Sequence, residues 1–487
     1  MKHDVIVIGS GAGGSAAAYH LTQTGRRVLL LEKGQRLPTD GSTLDVDTVM
    51  RRGAFLADEP WLDRNANTTT PEEHFNLGGK TKWYGAALLR FAPREFEADP
   101  ARGFLPWPIA YEELAPFYEE AERLLAVRTF IVEPDLQRLV AGLRRVDAGW
   151  STQILKLGLD ADILSHADEV RHFDGFASAR GLKSDAERCL LDRVRNRPNL
   201  EILTGKAVRA LLPALHGAAR VGGVECEDGT RYHADTVLLA AGALHSPRLL
   251  QSYMEANGLA ASLPAYRNVG RNYKFHVLTA MLAFSPRAVR DVLSKTLLLT
   301  HEAFAHSTVQ TLGGNLAAEI VLAQAPTAVP RLLVQPFAQR ALGLFLQTED
   351  GSHPDNRIVA AAGSPPRPQI DYDPARLPEA YAEHAALVST LRRQLVRLGY
   401  VSVARAIPIS GTAHACGTLA AGADPTRSVV DAVGRVHGMD NLYVVDGSAL
   451  PRSSRVNPAL TIYAWALRVA SLLATKHTGR IDAVTAL

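Results

Sequence analysis

The sequence has little cysteine and no strong charge bias. Its 487 residues contain three cysteines, Cys189, Cys226 and Cys416, none of them in C-x-x-C spacing. This argues against a disulfide framework, a zinc site and a cysteine-ligated iron–sulfur cluster. The formal net charge is only +3, and there is no dense Lys/Arg tract. Nothing therefore indicates a nucleic-acid partner.

Long hydrophobic runs are also missing. No apolar run reaches the length of a membrane span. The first predicted strand begins within a few residues of Met1, which leaves no room for a signal peptide. We therefore expect a cytoplasmic protein without a membrane span. The composition, 47% hydrophobic and 21% charged, is that of an ordinary globular protein, and 487 residues predict two or three domains.

What the sequence does contain is a glycine-rich turn near its start. Val5 to Ile8 predict a buried strand, and Gly9, Gly11 and Gly14 follow in G-x-G-x-x-G spacing before an alanine-rich helix. The first glycine allows a tight turn, the second lets a pyrophosphate approach the backbone, and the third lets helix and strand pack closely. Free N–H groups and the dipole at the helix start attract phosphates.

The next predicted strand, Val28 to Leu31, ends on Glu32. A carboxylate at this position can accept hydrogen bonds from the adenosine ribose hydroxyls and repels a 2′-phosphate. The strand, glycine turn, helix and acidic residue together predict a dinucleotide site.

A second informative segment lies near the C-terminus. Leu442 to Val445 predict a strand that ends in Asp446-Gly447-Ser448, and Asn457-Pro458 opens a helix predicted over Ala459 to Leu473. Proline is tolerated at the first helical position. The helix start offers N–H groups and a positive dipole end to an acceptor such as the N1–C2=O edge of a flavin. His414 and Asn457 are the polar groups that could meet a substrate there.

The middle of the chain predicts a mainly antiparallel sheet. Strand-like runs occur at Val277 to Phe284, Ala318 to Leu322, Leu342 to Gln347 and Ile358 to Ala361, and residues 377–399 predict one long amphipathic helix. The apolar stretch 319–346 has two interpretations, as core strands or as a wall for a hydrophobic ligand.

These motifs resemble the glucose–methanol–choline (GMC) oxidoreductases, nearest the sugar oxidase and dehydrogenase branch. The resemblance covers both ends of the chain and includes the Gly78-Gly79 loop and the segments 237–250 and 268–272. It implies an α/β fold in which an FAD-binding Rossmann-like domain carries an inserted α+β substrate domain built on an antiparallel sheet. We expect the FAD domain to comprise residues 1–130, 185–275 and 405–487, and the substrate domain 131–184 and 276–404.

The resemblance also implies an activity, the oxidation of a CH–OH group of an alcohol or sugar to a carbonyl. His414 matches the active-site histidine, which accepts the hydroxyl proton while hydride passes to flavin N5. Asn457 matches the second active-site position and would hydrogen-bond the oxygen as it becomes alkoxide-like. His437 is interpreted as structural, and His276 is a weaker candidate for the site.

The expected flavin contacts come from four parts of the chain. The ADP half is assigned to the glycine turn, to Glu32 and to two later segments, and the remainder to the Gly-Gly loop and the C-terminal motif. The full set is Gly9, Gly11, Gly14, Glu32, Gly79, Lys80, Thr81, Gly85, Val208, Ala241, Gly242, Asp446, Gly447, Asn457 and Pro458. No metal is expected.

The sequence departs from its relatives at several positions. Lys82 stands where some relatives tether FAD through a histidine, so we expect non-covalent FAD. Cysteines that ligate an iron–sulfur cluster in a related branch are missing, so electrons must reach oxygen, a quinone or a partner protein by another route. Four basic residues lie near the predicted flavin and have three interpretations: solvated loop charges, ligands of an acidic substrate, or groups that stabilise anionic reduced flavin. They are Lys80, Lys82, Arg452 and Arg455.

Two alternative functions remain open from the sequence. One is a tailoring oxidase that acts on a natural-product or glycoside hydroxyl. The other is a flavin subunit of a multi-component dehydrogenase that needs a partner for electron transfer.

Overall fold

The computed structural model describes residues 3–215, 217–326 and 328–476. Strands are numbered in chain order. They are His3–Ile8 (β1), Val28–Leu31 (β2), Trp61–Leu62 (β3), Thr68–Thr69 (β4), Trp150–Ile154 (β5), Leu200–Leu203 (β6), Val208–Ala214 (β7), Gly217–Cys226 (β8), Arg231–Leu239 (β9), Val277–Phe284 (β10), Leu297–His301 (β11), Ser307–Thr311 (β12), Ala341–Thr348 (β13), Arg357–Ala362 (β14), Arg367–Asp371 (β15), Val401–Ala406 (β16) and Leu442–Val444 (β17).

The helices are numbered in the same way, and single-turn segments are interspersed among them. The α-helices are Ala12–Gln23 (α1), Tyr111–Leu124 (α2), Pro134–Val146 (α3), Ala167–Arg171 (α4), Asp192–Val194 (α5), Gly242–Ala256 (α6), Leu259–Ser262 (α7), Leu316–Gln324 (α8), Arg331–Ala338 (α9), Pro378–Arg397 (α10) and Ala459–Lys476 (α11). Short 3₁₀ or π turns include Gly79–Lys82, Glu187–Leu191 and Gly447–Ala449.

The first sheet carries the glycine turn. Its order is β6-β2-β1-β9-β8-β7, and β17 also pairs with β9. Strands β6, β2, β1, β9 and β17 run parallel, and their buried apolar residues are covered by helices, as parallel sheets require. Ile8 pairs with Leu239, and Leu239 with Val444. The loops that follow these three strands therefore meet at one edge of the sheet.

Helix packing against this sheet brings the two ends of the chain together. Helix α11 packs against both α1 and α2. Trp465 of α11 is fully buried, and its indole N–H donates to the Val444 carbonyl at 3.0 Å. The C-terminal motif is thereby held beside the N-terminal glycine turn.

The second sheet is antiparallel throughout, in the order β16-β10-β13-β12-β11-β5. Helix α10 packs on it, as the amphipathic pattern over 377–399 predicts. Five of its six strands lie inside the predicted substrate segments, and β16 crosses the boundary predicted at 404. A third, small sheet has the order β14-β15-β3-β4.

One predicted strand is wrong. Ala318 to Leu322 lie in helix α8, where Leu, Ala and Glu are good helix formers and a short apolar run does not distinguish strand from helix. The core-strand interpretation of the apolar stretch 319–346 therefore holds only for its last part, β13, which buries Leu342, Leu344 and Leu346. The preceding helix, α9, exposes Leu332 and Phe337.

Candidate active site

One cavity of about 670 Å³ connects the two informative segments of the sequence. It is lined by the glycine turn at one end and by His414 and Asn457 at the other. Of the predicted flavin contacts and the pair His414 and Asn457, every residue except Gly14 lines this cavity. The structure thus brings together side chains that lie more than 400 residues apart in the sequence.

The three glycines of the turn have different environments. Gly9 has a φ of +100°, and a side chain there would collide with the Ala240 carbonyl. A side chain on Gly14 would collide with the Gly9 carbonyl, which explains why Gly14 packs behind the turn and does not line the cavity. A Cβ on Gly11 would meet no protein atom within 4 Å, so this backbone faces the cavity directly.

Protein donors already engage the two acidic residues predicted to contact a cofactor. Glu32 accepts from the backbone N–H groups of Ser10 at 3.0 Å and Gly34 at 2.8 Å. Asp446 accepts from the N–H of Gly242 at 2.8 Å and of Ser448 at 2.9 Å. Burial raises the pKa of both carboxyl groups despite these bonds. Each carboxylate therefore has a structural role that the motif did not reveal, because it ties adjoining cavity loops together.

Strand register places a second histidine beside His414. Lys274 and Cys416 form an antiparallel bridge. His276, two residues after Lys274, therefore stands opposite His414, two residues before Cys416. The Nδ1 atoms of the two rings are 3.0 Å apart, and the rings meet edge to face. His276 is fully buried, whereas His414 is enclosed by protein except where it lines the cavity.

Strand β12 positions Asn457 against the other side of His414. Gln310 Nε2 donates to Asn457 Oδ1 at 2.5 Å, and Asn457 Nδ2 lies 3.2 Å from His414 Nε2. Two residues earlier on the same strand face, Thr308 Oγ1 donates to the Arg455 carbonyl at 2.8 Å. The Phe345 ring stands edge-on to His414, with centroids 6.3 Å apart.

These contacts assign the protons of both rings. His276 Nε2 lies 2.7 Å from the Ser454 carbonyl, which can only accept, so this nitrogen carries a proton. In the neutral ring His276 Nδ1 is then an acceptor, and His414 Nδ1 must be the donor to it. His414 Nε2 is left with its lone pair directed towards the Asn457 amide. The network therefore defines one tautomer, with the basic nitrogen next to Asn457.

The electrostatic environment keeps His414 neutral. Burial holds the pKa of His414 well below its usual value near 6.5, and the positive charges of Lys295 and Lys80 act in the same direction, as does neighbouring His276. A neutral imidazole at physiological pH can accept a proton.

The four basic residues flagged in the sequence have protein partners in three cases. Lys80 lines the cavity, and its Nζ pairs with Glu73 at 2.5 Å. Lys82 pairs with Asp185 and Glu187, and Arg452 pairs with buried Glu349. Lys82, Arg452 and Arg455 do not line the cavity. For Lys82 and Arg452, both the solvated-loop interpretation and the substrate-ligand interpretation are therefore wrong.

These ion pairs also shift the pKa values of their members. Burial alone would lower the pKa of Lys82, but Asp185 and Glu187 outweigh it and hold the pKa above its usual value. Arg452 and His306 likewise hold the pKa of Glu349 at about 2, although burial opposes the shift. Glu349 accepts from the Ser454 N–H at 2.9 Å, so this ion pair supports the carbonyl that orients His276.

Several cavity residues were missed from the sequence. Gln310, Phe345, Asp174 and Lys295 line the cavity near the reacting end. Gln310, Phe345 and Lys295 lie on strands or a loop of the second sheet without a local motif, so no sequence signal pointed to them. Asp174 lies in the loop after α4, in the segment Phe173-Asp-Gly-Phe, which resembles a sugar-dehydrogenase branch but was not assigned to the site.

The fold and the site define a class of protein, and comparison with known proteins agrees. A family model described as GMC oxidoreductase matches residues 6–278, and a second with the same description matches residues 361–466. The chain belongs to the GMC oxidoreductase family. It is an FAD-binding oxidoreductase that acts on the CH–OH group of alcohols or sugars, as the resemblance implied.

Individual relatives cover almost the whole chain. Paromamine 6'-oxidase from Streptomyces fradiae is 31% identical, with 98% of this chain and 93% of the relative covered. The 6'''-hydroxyparomomycin C oxidase from Streptomyces lividus is 28% identical, with 97% and 91% covered. The crystal structure of pyridoxine 4-oxidase from Mesorbium loti superposes with a TM-score of 0.70 at 20% identity, covering 97% of this chain and 99% of that one. This confirms the predicted fold class.

The residues of the cavity fit FAD. Helix α1 begins at Ala12 without a side-chain cap at Gly11, so its first N–H groups are free to bind phosphate. The open space at Gly11 adjoins this helix start. No helix among the described residues is long and apolar enough to cross a membrane. The cytoplasmic location stays a prediction.

Proposed function

We propose that His414 and Asn457 are the reacting pair of this enzyme and that they oxidise a hydroxyl group carried by a polar, sugar-like substrate. The observation that carries this proposal is the hydrogen-bond chain that leaves His414 Nε2 unprotonated beside Asn457, on a cavity shared with the glycine turn.

FAD, when bound, supplies the hydride acceptor. His414 Nε2 removes the proton of the substrate hydroxyl, since it is the unprotonated nitrogen of a neutral ring. One N–H of the Asn457 amide faces His414, and the second N–H can donate to the substrate oxygen as negative charge develops on it. Gln310 holds the amide in this orientation through Asn457 Oδ1. His276 keeps the imidazole of His414 in the required tautomer.

The relatives and the cavity both favour a polar substrate. The two Streptomyces relatives, which cover almost the whole chain, are named as oxidases of paromamine and of 6'''-hydroxyparomomycin C. The reacting end of this cavity presents Lys80, Asp174, Lys295 and Gln310 alongside one aromatic wall, Phe345. Among the described residues of the apolar stretch 319–346, Phe345 is the one that lines it, so a hydrophobic-ligand pocket has little support. We therefore favour a tailoring oxidase of amino sugars or glycosides over an oxidase of simple alcohols.

The proposed cofactor contacts are those predicted from the sequence other than Gly14, with FAD bound non-covalently. Lys82, at the position where some relatives have a tethering histidine, forms ion pairs with two carboxylates. Gly9 and Gly11 with the start of α1 would hold the pyrophosphate, Val208 would contact the adenine, and Pro458 would contact the flavin.

The test is anaerobic reduction of the FAD-loaded protein. Paromamine and methyl α-D-glucopyranoside should bleach the flavin absorbance faster than glycerol, and His414→Asn should slow bleaching by at least about 10²-fold while retaining FAD. His437→Asn is the matched control, because His437 contacts Ser428 and the Gly422 carbonyl and does not line the cavity. Equal rates in the His414 variant and the wild type would overturn the proposal. Bleaching by none of these compounds would favour a flavin subunit that depends on a partner.

A further inference from the structure

A buried ion pair lies at the reacting end of the cavity and takes no part in the reaction proposed above. Lys295 Nζ is 2.7 Å from Asp174 Oδ2, and the two residues are 6% and 7% exposed. Both line the cavity together with His414 and Asn457. Ion pairs this deeply buried are expensive to desolvate, so their place beside a reacting centre needs an explanation.

Each member of the pair has hydrogen-bonding capacity left over. An ammonium group has three donors, and among the described residues Asp174 is the one acceptor bonded to Lys295 Nζ. Asp174 Oδ2 also accepts from the Gly313 N–H at 2.8 Å, whereas Oδ1 has no hydrogen-bond donor among the described residues. The pair therefore presents donors and an acceptor side by side.

Gly85 shows where these free groups lie. A Cβ on Gly85 would collide with both Lys295 Nζ and Asp174 Oδ1, so the two atoms fill the place that a side chain would take in the cavity-lining Gly-Gly loop. Lys183 helps to hold Gly85 and Asp174 in place. Its Nζ donates to the carbonyls of the preceding residues, Tyr84 at 2.8 Å and Phe173 at 2.7 Å. The residues that precede Gly85 and Asp174 are thus tied to one buried ammonium.

One short stretch of chain anchors both the reacting pair and the ion pair. Gln310 holds Asn457, and Gly313 holds Asp174, so one stretch of chain anchors both groups. Both pairs also line the same cavity. A substrate that carries several hydroxyl groups can therefore contact the ion pair while one hydroxyl group lies at His414.

We propose that Asp174 and Lys295 form a recognition pair for a substrate hydroxyl near the oxidised carbon, which makes this enzyme selective for polyhydroxylated substrates. The hydroxyl donates to Asp174 Oδ1 and accepts from Lys295 Nζ. The inference rests on the proposed function and deepens it. Lys295 outweighs burial and holds the pKa of Asp174 below its usual value, so the acceptor stays charged.

The test compares two primary alcohols that share a ring. Methyl α-D-glucopyranoside has ring hydroxyls, and tetrahydropyran-2-methanol has the same ring oxygen and CH₂OH group without them. With the FAD-loaded enzyme, Asp174→Asn and Lys295→Met should each lower kcat/KM for the glucoside by at least about 10-fold, mainly through KM. Both variants should lower kcat/KM for tetrahydropyran-2-methanol by much less, so that the preference for the glucoside falls, with unchanged FAD content.

Binding gives a readout besides turnover. Methyl 6-deoxy-α-D-glucopyranoside lacks the reacting hydroxyl, so it can be titrated against the oxidised flavin absorbance, and its Kd should rise at least about 10-fold in both variants. Arg90→Gln is the control, since Arg90 pairs with Glu122 and does not line the cavity. If Lys295→Met fails to take up FAD, the kinetic and binding measurements on the isosteric variant Asp174→Asn test the proposal.

Three results would overturn this inference while leaving the proposed function intact: equal losses for both alcohols, no loss for either, or a change confined to reoxidation by oxygen. Failure of the wild-type enzyme to be reduced by any of the named probes overturns the proposed function and this inference with it.

Discussion

His276 Nδ1 and His414 Nδ1 face each other at 3.0 Å, and the Ser454 carbonyl accepts from the opposite nitrogen of His276 at 2.7 Å. The pair forms from two chain segments 138 residues apart, through the bridge between Lys274 and Cys416. His276 has a φ of +70° and Ser454 a φ of +68°, both unusual for residues other than glycine. Strained backbone at both ends of this contact is consistent with a functional constraint.

Replacing His276 should impair the chemical step more than binding. His276→Phe leaves the His414 Nδ1 proton without an acceptor, so the ring loses its defined tautomer, and the rate of flavin reduction should fall about 10²-fold with little change in KM. His276→Asn should recover much of the rate, because asparagine tolerates positive φ and its Oδ1 can accept the proton. Stopped-flow reduction measures both. A loss of FAD or a rise in KM alone would instead assign His276 a packing role.

The pH dependence of the reaction should move when a carboxylate is placed beside His414. In the wild type the lowered pKa keeps His414 neutral, so kcat/KM should be flat above about pH 6.5. Asn457→Asp stabilises the imidazolium and raises the pKa of His414 by about 1–3 units, so the fall in activity on acidification should begin at correspondingly higher pH.

Profiles of kcat/KM between pH 5 and 9 check this prediction. The substitution keeps one contact of the wild type, because Gln310 can still donate to the carboxylate of Asn457→Asp. Asn457→Ala serves as the control, because it removes the amide without adding charge. An acid limb at the same pH in the wild type and in Asn457→Asp would show that His414 is not the titrating base.

Two glycines of the same turn should respond to alanine in opposite ways. Gly11→Ala has room in the protein, so the FAD-free form should unfold within about 1 kcal/mol of the wild type, while FAD affinity falls at least about 10-fold because the new methyl group enters the proposed pyrophosphate space. Gly14→Ala collides with the Gly9 carbonyl and should destabilise the fold itself by about 3 kcal/mol or more. Thermal unfolding of the FAD-free forms and FAD titration separate the two effects. Normal FAD affinity in Gly11→Ala would contradict the proposed site.

Lys82 should matter for stability and not for flavin attachment. Heat denaturation of the holoenzyme followed by filtration should release all the yellow colour into the filtrate. Lys82→Met leaves Asp185 and Glu187 without their common cation and should destabilise the protein by about 3–5 kcal/mol. Flavin fluorescence that stays with the denatured polypeptide would show a covalent link.

Sequence reasoning succeeded where function depends on short, contiguous patterns. The strand, glycine turn and helix at residues 5–23 and the helix start after Asn457-Pro458 were predictable because each needs particular residues at fixed spacing. The strand predicted at Ala318 to Leu322 was wrong, since a short apolar run is compatible with either element and the helix formers around it favoured α8.

The amino-acid order alone therefore determined the local elements, the two cavity-lining motifs and the family. It left open the partner of His414, the ion pair of Asp174 with Lys295, and the burial of Lys82 and Arg452 in carboxylate pairs. Those contacts join segments about 100 or more residues apart, and they exist because strand register and helix packing bring the segments together. Register is a property of the assembled sheets, and no local spacing encodes it.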